Sequence, residues 1–108
     1  MTETALMREI MVAVSAIPGT LVKRQNVGIA KTPTGVIRFG TPGEGDIAVV
    51  YRGRAIELEV KSATGKQSEQ QKLYQAAYER AGGKYAVVRS VNDAVNAVKD
   101  TGNDPAYI

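Results

Sequence analysis

Three observations predict a single α/β domain with one mixed sheet flanked by helices. Apolar residues near the N-terminus recur at helical spacing, and a central stretch alternates apolar with ionisable residues as a strand does. Two later helix starts, each with a polar cap, enclose a short apolar run. The order is helix, three or four strands, helix, strand, helix, with the fourth strand undecided. The 108 residues suit one domain spanning 1–108. No repeat, low-complexity tract or linker divides it.

Thr4 is expected to cap a first helix reaching about Ala16, with Leu6, Ile10, Ala13, Val14 and Ile17 on one apolar stripe. Pro18-Gly19 ends it. Residues 21–27 and 35–39 read as strands, joined by a loop rich in Gly, Thr and Pro, and 40–45 form a second turn region. The runs 46–51 and 54–61 flank Arg52-Gly53 and read as a tight hairpin. Arginine is a poor first residue for the favoured two-residue turn, so a four-residue loop with the same register is the alternative. Ser68 and Gln71 form a capping box for a helix ending near Gly82-Gly83. Residues 85–89 form a short apolar strand. Ser90 with Asp93 then opens a last helix, whose stripe is Val91, Ala94, Val95 and Val98 and which Gly102 closes.

Composition removes several chemistries. The chain has no cysteine, histidine or tryptophan, so it carries no disulfide, no thiolate zinc site and no Ser-His-Asp or Cys-His catalysis. A general base must be a carboxylate, a lysine, a tyrosine or a metal-bound water. Apolar runs are far shorter than the roughly 20 residues of a membrane span, and the N-terminus lacks a basic leader region. The expectation is a soluble, cytoplasmic protein with no membrane partner. The net charge of +3 is mild, but it is unevenly placed. No acidic side chain lies between Glu9 and Glu44, while Lys23, Arg24, Lys31 and Arg38 fall inside that interval. Such a segment could follow a phosphate backbone; a solvated loop and an edge hairpin guarded by cations is the plainer alternative.

The stretch Ile56-Glu57-Leu58-Glu59-Val60-Lys61 is the most informative. As a strand it puts Ile56, Leu58 and Val60 on one face and Glu57, Glu59 and Lys61 on the other. The hairpin register then sets Asp46 opposite Glu59 and Ala48 opposite Glu57, with Cβ atoms of such pairs about 5 Å apart. Two facing carboxylates repel unless a cation joins them, and hard oxygen ligands at that separation suit Mg2+ or Mn2+. Lys61, farther along the same face, could orient or help deprotonate a metal-bound water, or neutralise charge on a reacting phosphate.

Gly45-Asp46, a hairpin and then Glu59-Val60-Lys61 resemble the PD-(D/E)xK nuclease signature, with Gly45 where the family name has proline. Gly43-Glu44-Gly45-Asp46, Lys61-Ser62, Gly65-Lys66-Gln67, Ser68-Glu69-Gln70-Gln71 and Gly82-Gly83-Lys84-Tyr85-Ala86-Val87-Val88 narrow the likeness to its VRR-NUC branch, the virus-type replication-repair nucleases. The likeness covers nearly the whole chain, as in stand-alone phage and prophage forms.

The resemblance implies a restriction-endonuclease-like αβββαβ core and metal-dependent hydrolysis of DNA. Asp46 and Glu59 would bind Mg2+ or Mn2+, Val60 would add its carbonyl, and Lys61 would be the catalytic lysine. Gln71 matches the glutamine near the scissile phosphate, with Gln70 as its competitor. Glu9 matches the first-helix acid that reaches the metal, and its place at the border of the apolar stripe supports that weakly. Gln71 has a second reading as the capping partner of Ser68 alone, and Glu57 could hold Lys61 or a second water. Lys23, Arg24, Lys31 and Arg38, with Lys66 and Lys72, would grip the DNA backbone. Stand-alone members imply a homodimer cutting branched DNA such as a four-way junction. Tyr74, Tyr78, Val95 and Val98 are candidates for its interface, and core packing explains them equally well. The alternative is a module of the same fold that binds DNA or a repair partner without cutting.

Overall fold

The computed structural model describes residues 1–26 and 28–100. Helix α1 (Glu3–Ser15) is followed by β1 (Thr20–Arg24), β2 (Gly28–Thr32), β3 (Gly35–Phe39), β4 (Ile47–Tyr51) and β5 (Arg54–Val60). Helix α2 (Glu69–Arg80), strand β6 (Lys84–Val88) and helix α3 (Val91–Lys99) complete the order. Four strands form one sheet in the order β1-β4-β5-β6, with β5 and β6 parallel and the other pairs antiparallel. The sheet is therefore mixed and flanked by helices, as expected. The αβββαβ core is α1, β1, β4, β5, α2 and β6, and α3 follows it.

The apolar face of the sheet carries Ile47, Val49, Tyr51, Ile56, Leu58 and Val60, and it packs against Ile10, Val14 and Ile17 and against Ala94 and Val98 of α3. Helix α2 lies on the other face, where Tyr74 meets Glu57. None of its residues is fully buried.

Several local expectations need correction. Thr2 caps α1, not Thr4: its hydroxyl accepts from the Ala5 amide at 3.0 Å, so the helix begins one residue before Thr4. The loop assigned to residues 28–34 contains strand β2, which pairs with β3 in a separate two-stranded sheet. Neither strand there has a fully buried residue, and β2 lacks the β-branched and aromatic run (Val36, Ile37, Phe39) that marks β3. The tight hairpin is as expected: Arg52 and Gly53 both have positive φ, 50° and 83°, and make a two-residue turn, which sets aside the four-residue alternative. The Arg52 guanidinium lies 5.3 Å from the centre of the Tyr51 ring, close enough to help hold that conformation.

The proposed dimer candidates are placed by packing. Val98 is in the core, Val95 packs against it, and Tyr74 and Tyr78 stack on each other with ring centres 5.6 Å apart. Gly102 lies outside the described residues, as does the Val27 end of the first expected strand. Among the described residues, no helix is long and apolar enough to cross a membrane.

Candidate active site

The β4–β5 register fixes the site. Ala48 pairs with Glu57 and Ile47 with Leu58, as the alternation requires, so one step further Asp46 stands across from Glu59. There a side chain takes over from the backbone ladder: Asp46 Oδ2 accepts the Val60 amide hydrogen at 2.8 Å. The carboxylate is thus aimed along β5 toward the Glu59-Val60-Lys61 segment.

The backbone before Asp46 is held from two sides. Glu57 is buried, and its Oε1 accepts from the Gly45 amide at 2.7 Å while its Oε2 accepts from the Tyr74 hydroxyl at 2.6 Å. From the β1 side, the Gln25 amide donates to the Asp46 carbonyl at 2.8 Å, and Gln25 Nε2 donates to the Gly45 carbonyl at 3.0 Å. Gly43 has a φ of +87°, and a Cβ there would fall 2.3 Å from the Gln70 carbonyl. Glycine alone permits both that conformation and so close an approach to the start of α2. Glu57 therefore holds Gly45 and Tyr74, and the ion pair of Lys61 is with Glu59 instead.

Glu59 is 4% exposed. Lys61 Nζ lies 3.7 Å from its Oε1, and the Tyr85 hydroxyl shares its proton between the Gly43 carbonyl at 3.2 Å and Glu59 Oε2 at 3.5 Å. Burial, and after it the negative charge of Asp46, raises the Glu59 carboxyl to about 7 in spite of Lys61. The Tyr74 and Tyr85 phenols are also raised, chiefly by burial and then by their bonds or proximity to Glu57 and Glu59. Both stay protonated and available as donors.

A cleft of about 250 Å3 opens here, lined by Gln25, Gly43, Glu44, Gly45, Asp46, Glu59, Ser68, Gln70 and Gln71. It brings Asp46 and Glu59 together with Gln71 and its neighbour Gln70, and places Val60 and Lys61 beside them. Gln71 does form the capping box: its Oε1 accepts from the Ser68 amide at 2.9 Å, and its own amide donates to Ser68 Oγ at 3.1 Å. That leaves its Nε2 hydrogens for the cleft. Two carboxylates thus line one cleft, and one of them is raised first by burial and then by the other's charge; oxygen donors are the type that hard divalent cations take.

Glu9 is not brought to this cleft. It is exposed on α1, in a shallow hollow with Arg8, Val12, Ala13 and Val91. Its neighbour Ile10 is buried in the core on the apolar face, whereas the acids of β5 point to the opposite face. Position beside the stripe therefore turns Glu9 to solvent. Among the described residues, no three acidic side chains form a metal-holding group.

The expected backbone-gripping cations Lys23, Arg24, Lys31, Arg38, Lys66 and Lys72 are all exposed. Lys23 pairs with Ala48, and so shares the acidic face, whereas Arg24 pairs with Ile47 and belongs to the α1 face. Lys31 and Arg38 share one face of the β2–β3 hairpin. Lys72 pairs with Glu69 at 3.2 Å, an exposed contact of small energetic weight. Gln25, Tyr74 and Tyr85 were not singled out for this site. The parallel pairing of Tyr85 with Glu57 could have flagged the last of them, since both then share a face.

No family model matches the sequence, and no curated protein does. Among solved structures, one titled "VRR_NUC domain" is 20% identical, covers 93% of this chain and 97% of its own, and superposes with a TM-score of 0.66. The αβββαβ order and the mixed sheet agree with that likeness: this chain has the fold of a VRR_NUC domain.

Proposed function

We propose that the chain is a metal-dependent DNA endonuclease that hydrolyses phosphodiester bonds, acting as a homodimer on branched DNA such as a four-way junction. The observation that carries the reading is the meeting of Asp46 and Glu59 in one cleft with Lys61 3.7 Å from Glu59. The shared fold with a VRR_NUC domain supports the nuclease part, while the dimer and the junction preference are carried over by analogy with the stand-alone proteins that the sequence motifs resemble.

Asp46 and Glu59, with the Val60 carbonyl, would hold Mg2+ or Mn2+, which when bound activates water and stabilises charge on the phosphate. Asp46 keeps its orientation through the Val60 amide, and Glu59 through Tyr85. Lys61, 3.7 Å from Glu59, would orient the attacking water and balance negative charge as the phosphate becomes five-coordinate. Gln71, anchored through its Oε1, can donate from Nε2 to a phosphate oxygen entering the cleft. Lys23 and Lys66 then fix the backbone without reading bases.

The test is incubation of labelled junction, flap, single-stranded and duplex DNA in Mg2+ and in Mn2+. Asp46→Ala, Glu59→Ala and Lys61→Ala should each lose cleavage by roughly 1,000-fold or more while remaining folded. Cutting by Asp46→Ala at the parent rate would sink the assignment. The position of Glu9 away from the cleft favours one second reading, a module that binds DNA without cutting. It predicts tight DNA binding with no cleavage in either metal, and no rise in melting temperature with Mn2+.

A further inference from the structure

We propose that the β2–β3 hairpin is a ribbon that enters a groove of duplex DNA beside the cleavage site. The inference rests on the nuclease reading and specifies how the substrate is held.

The hairpin is unlike the rest of the molecule. Among the described residues it pairs with no other strand, and it leaves Ile29 and Val36 on one face, and Ile37 and Phe39 on the other, between 42% and 57% exposed. An isolated two-stranded ribbon is marginal in water, so one carrying this much apolar surface calls for a covering partner. The register puts Ile29, Lys31, Val36 and Arg38 on one face. That face carries two cations, and no acidic residue lies anywhere between Glu9 and Glu44. A second copy laid face to face would oppose like charges, whereas DNA supplies the opposite charge in phosphates along both groove walls.

Position and size agree. A groove of about 400 Å3, lined in part by Ile29, Arg38, Phe39, Gly43 and Gln70, runs from the hairpin base to the start of α2. Gly43 and Gln70 also line the acidic cleft, so the basic face and the carboxylates border one continuous track. Two strands about 5 Å apart and roughly 17 Å long fit a major groove about 12 Å wide, which admits a two-stranded ribbon. Lys31 and Arg38 would reach the phosphates while Ile29 and Val36 face the base edges.

The experiment measures binding of a fluorescent 30-base-pair duplex in metal-free buffer across a salt series, comparing the parent with Lys31→Ala/Arg38→Ala. Both substituted side chains are exposed, and an unchanged Mn2+-induced rise in melting temperature serves as the control for an intact cleft. The double variant should bind roughly tenfold more weakly at about 0.1 M salt, with the log–log salt slope shallower by about 2. Methylation of guanine N7, which lies in the major groove, should weaken binding by the parent and not by the variant. Equal affinity and slope for the two proteins would overturn the proposal while leaving the nuclease reading intact, as would indifference to N7 methylation. A change from dimer to monomer in the variant, seen by light scattering, would overturn it by assigning the hairpin to a contact between copies. A parent that neither binds nor cuts DNA would remove the nuclease reading itself, and the groove proposal with it.

Discussion

Strand β5 has two faces that are equally dry and chemically opposite. Ile56, Leu58 and Val60 are at most 2% exposed against α1 and α3, while Glu57 and Glu59 are each 4% exposed on the α2 side. An alternating strand ordinarily buries one face and wets the other. Here the apolar face repays its burial directly, but the acidic face must be compensated group by group. Glu57 is fully compensated, each oxygen taking a short hydrogen bond. Glu59 is not, since its contacts to Lys61 and Tyr85 are long, at 3.7 and 3.5 Å, and Asp46 adds repulsion. The incompletely compensated acid is the one that faces the cleft, where a cation would complete it.

The comparison can be broken first on its apolar side. Leu58 is fully buried, and Leu58→Ala should cost about 3 kcal/mol through lost burial and a cavity. A urea melt would show it, with cleavage per folded molecule unchanged. A cost under about 1 kcal/mol would mean that this face is not the main source of stability.

The acidic side is sharpened by pH. The Glu59 carboxyl is raised from its ordinary 4.5 to about 7. Below about pH 4.5 it is neutral in folded and unfolded chains alike and contributes nothing. Between there and about pH 7 the unfolded chain releases its proton while the folded one retains it, so stability falls as pH rises. Above about pH 7 the loss is complete, at most about 3 kcal/mol. Metal-free protein should therefore gain from Glu59 on going from pH 8 to pH 5.5, and Glu59→Gln should flatten that part of the profile. Because a cation competes with the proton, Mn2+ should raise the melting temperature more at pH 8 than at pH 5.5. Equal rises at both would contradict the raised carboxyl.

A smaller effect tests the compensated acid. Tyr74→Phe removes one of the two donors to Glu57 and should cost about 1.5 kcal/mol, measured by thermal or urea unfolding. No change would mean that water replaces the hydroxyl and that Glu57 is less enclosed than its 4% exposure indicates.

What could be read from sequence divides along physical lines. The pairing of Asp46 with Glu59 was accessible because a period of two, pinned by a short turn, leaves one register that keeps Ile56 and Leu58 with Ile47 and Val49. Capping by Ser68 and Gln71 was equally local. Strand β2 was not accessible, because the ribbon has no buried face to imprint a pattern and Gly28–Thr32, unlike β3 with Val36, Ile37 and Phe39, has no run of strong β-formers to mark it. Glu9 was misplaced because the spacing of a helix tells which stripe is buried, not which side of the sheet that stripe will choose. The work of Glu57 depends on Tyr74, which only the packing of α2 brings to it.

One consequence follows from the hydrogen bond between Gly45 and Glu57. A proline at position 45 would have no hydrogen to give, and even an alanine Cβ would sit 3.0 Å from Glu57 Cβ. The two positions thus form a lock and its key: the acid at 57 demands an unsubstituted, hydrogen-bearing link just ahead of Asp46. Redesigning either one calls for redesigning both, so a proline grafted at 45 to restore the usual signature should be introduced together with an apolar replacement at 57.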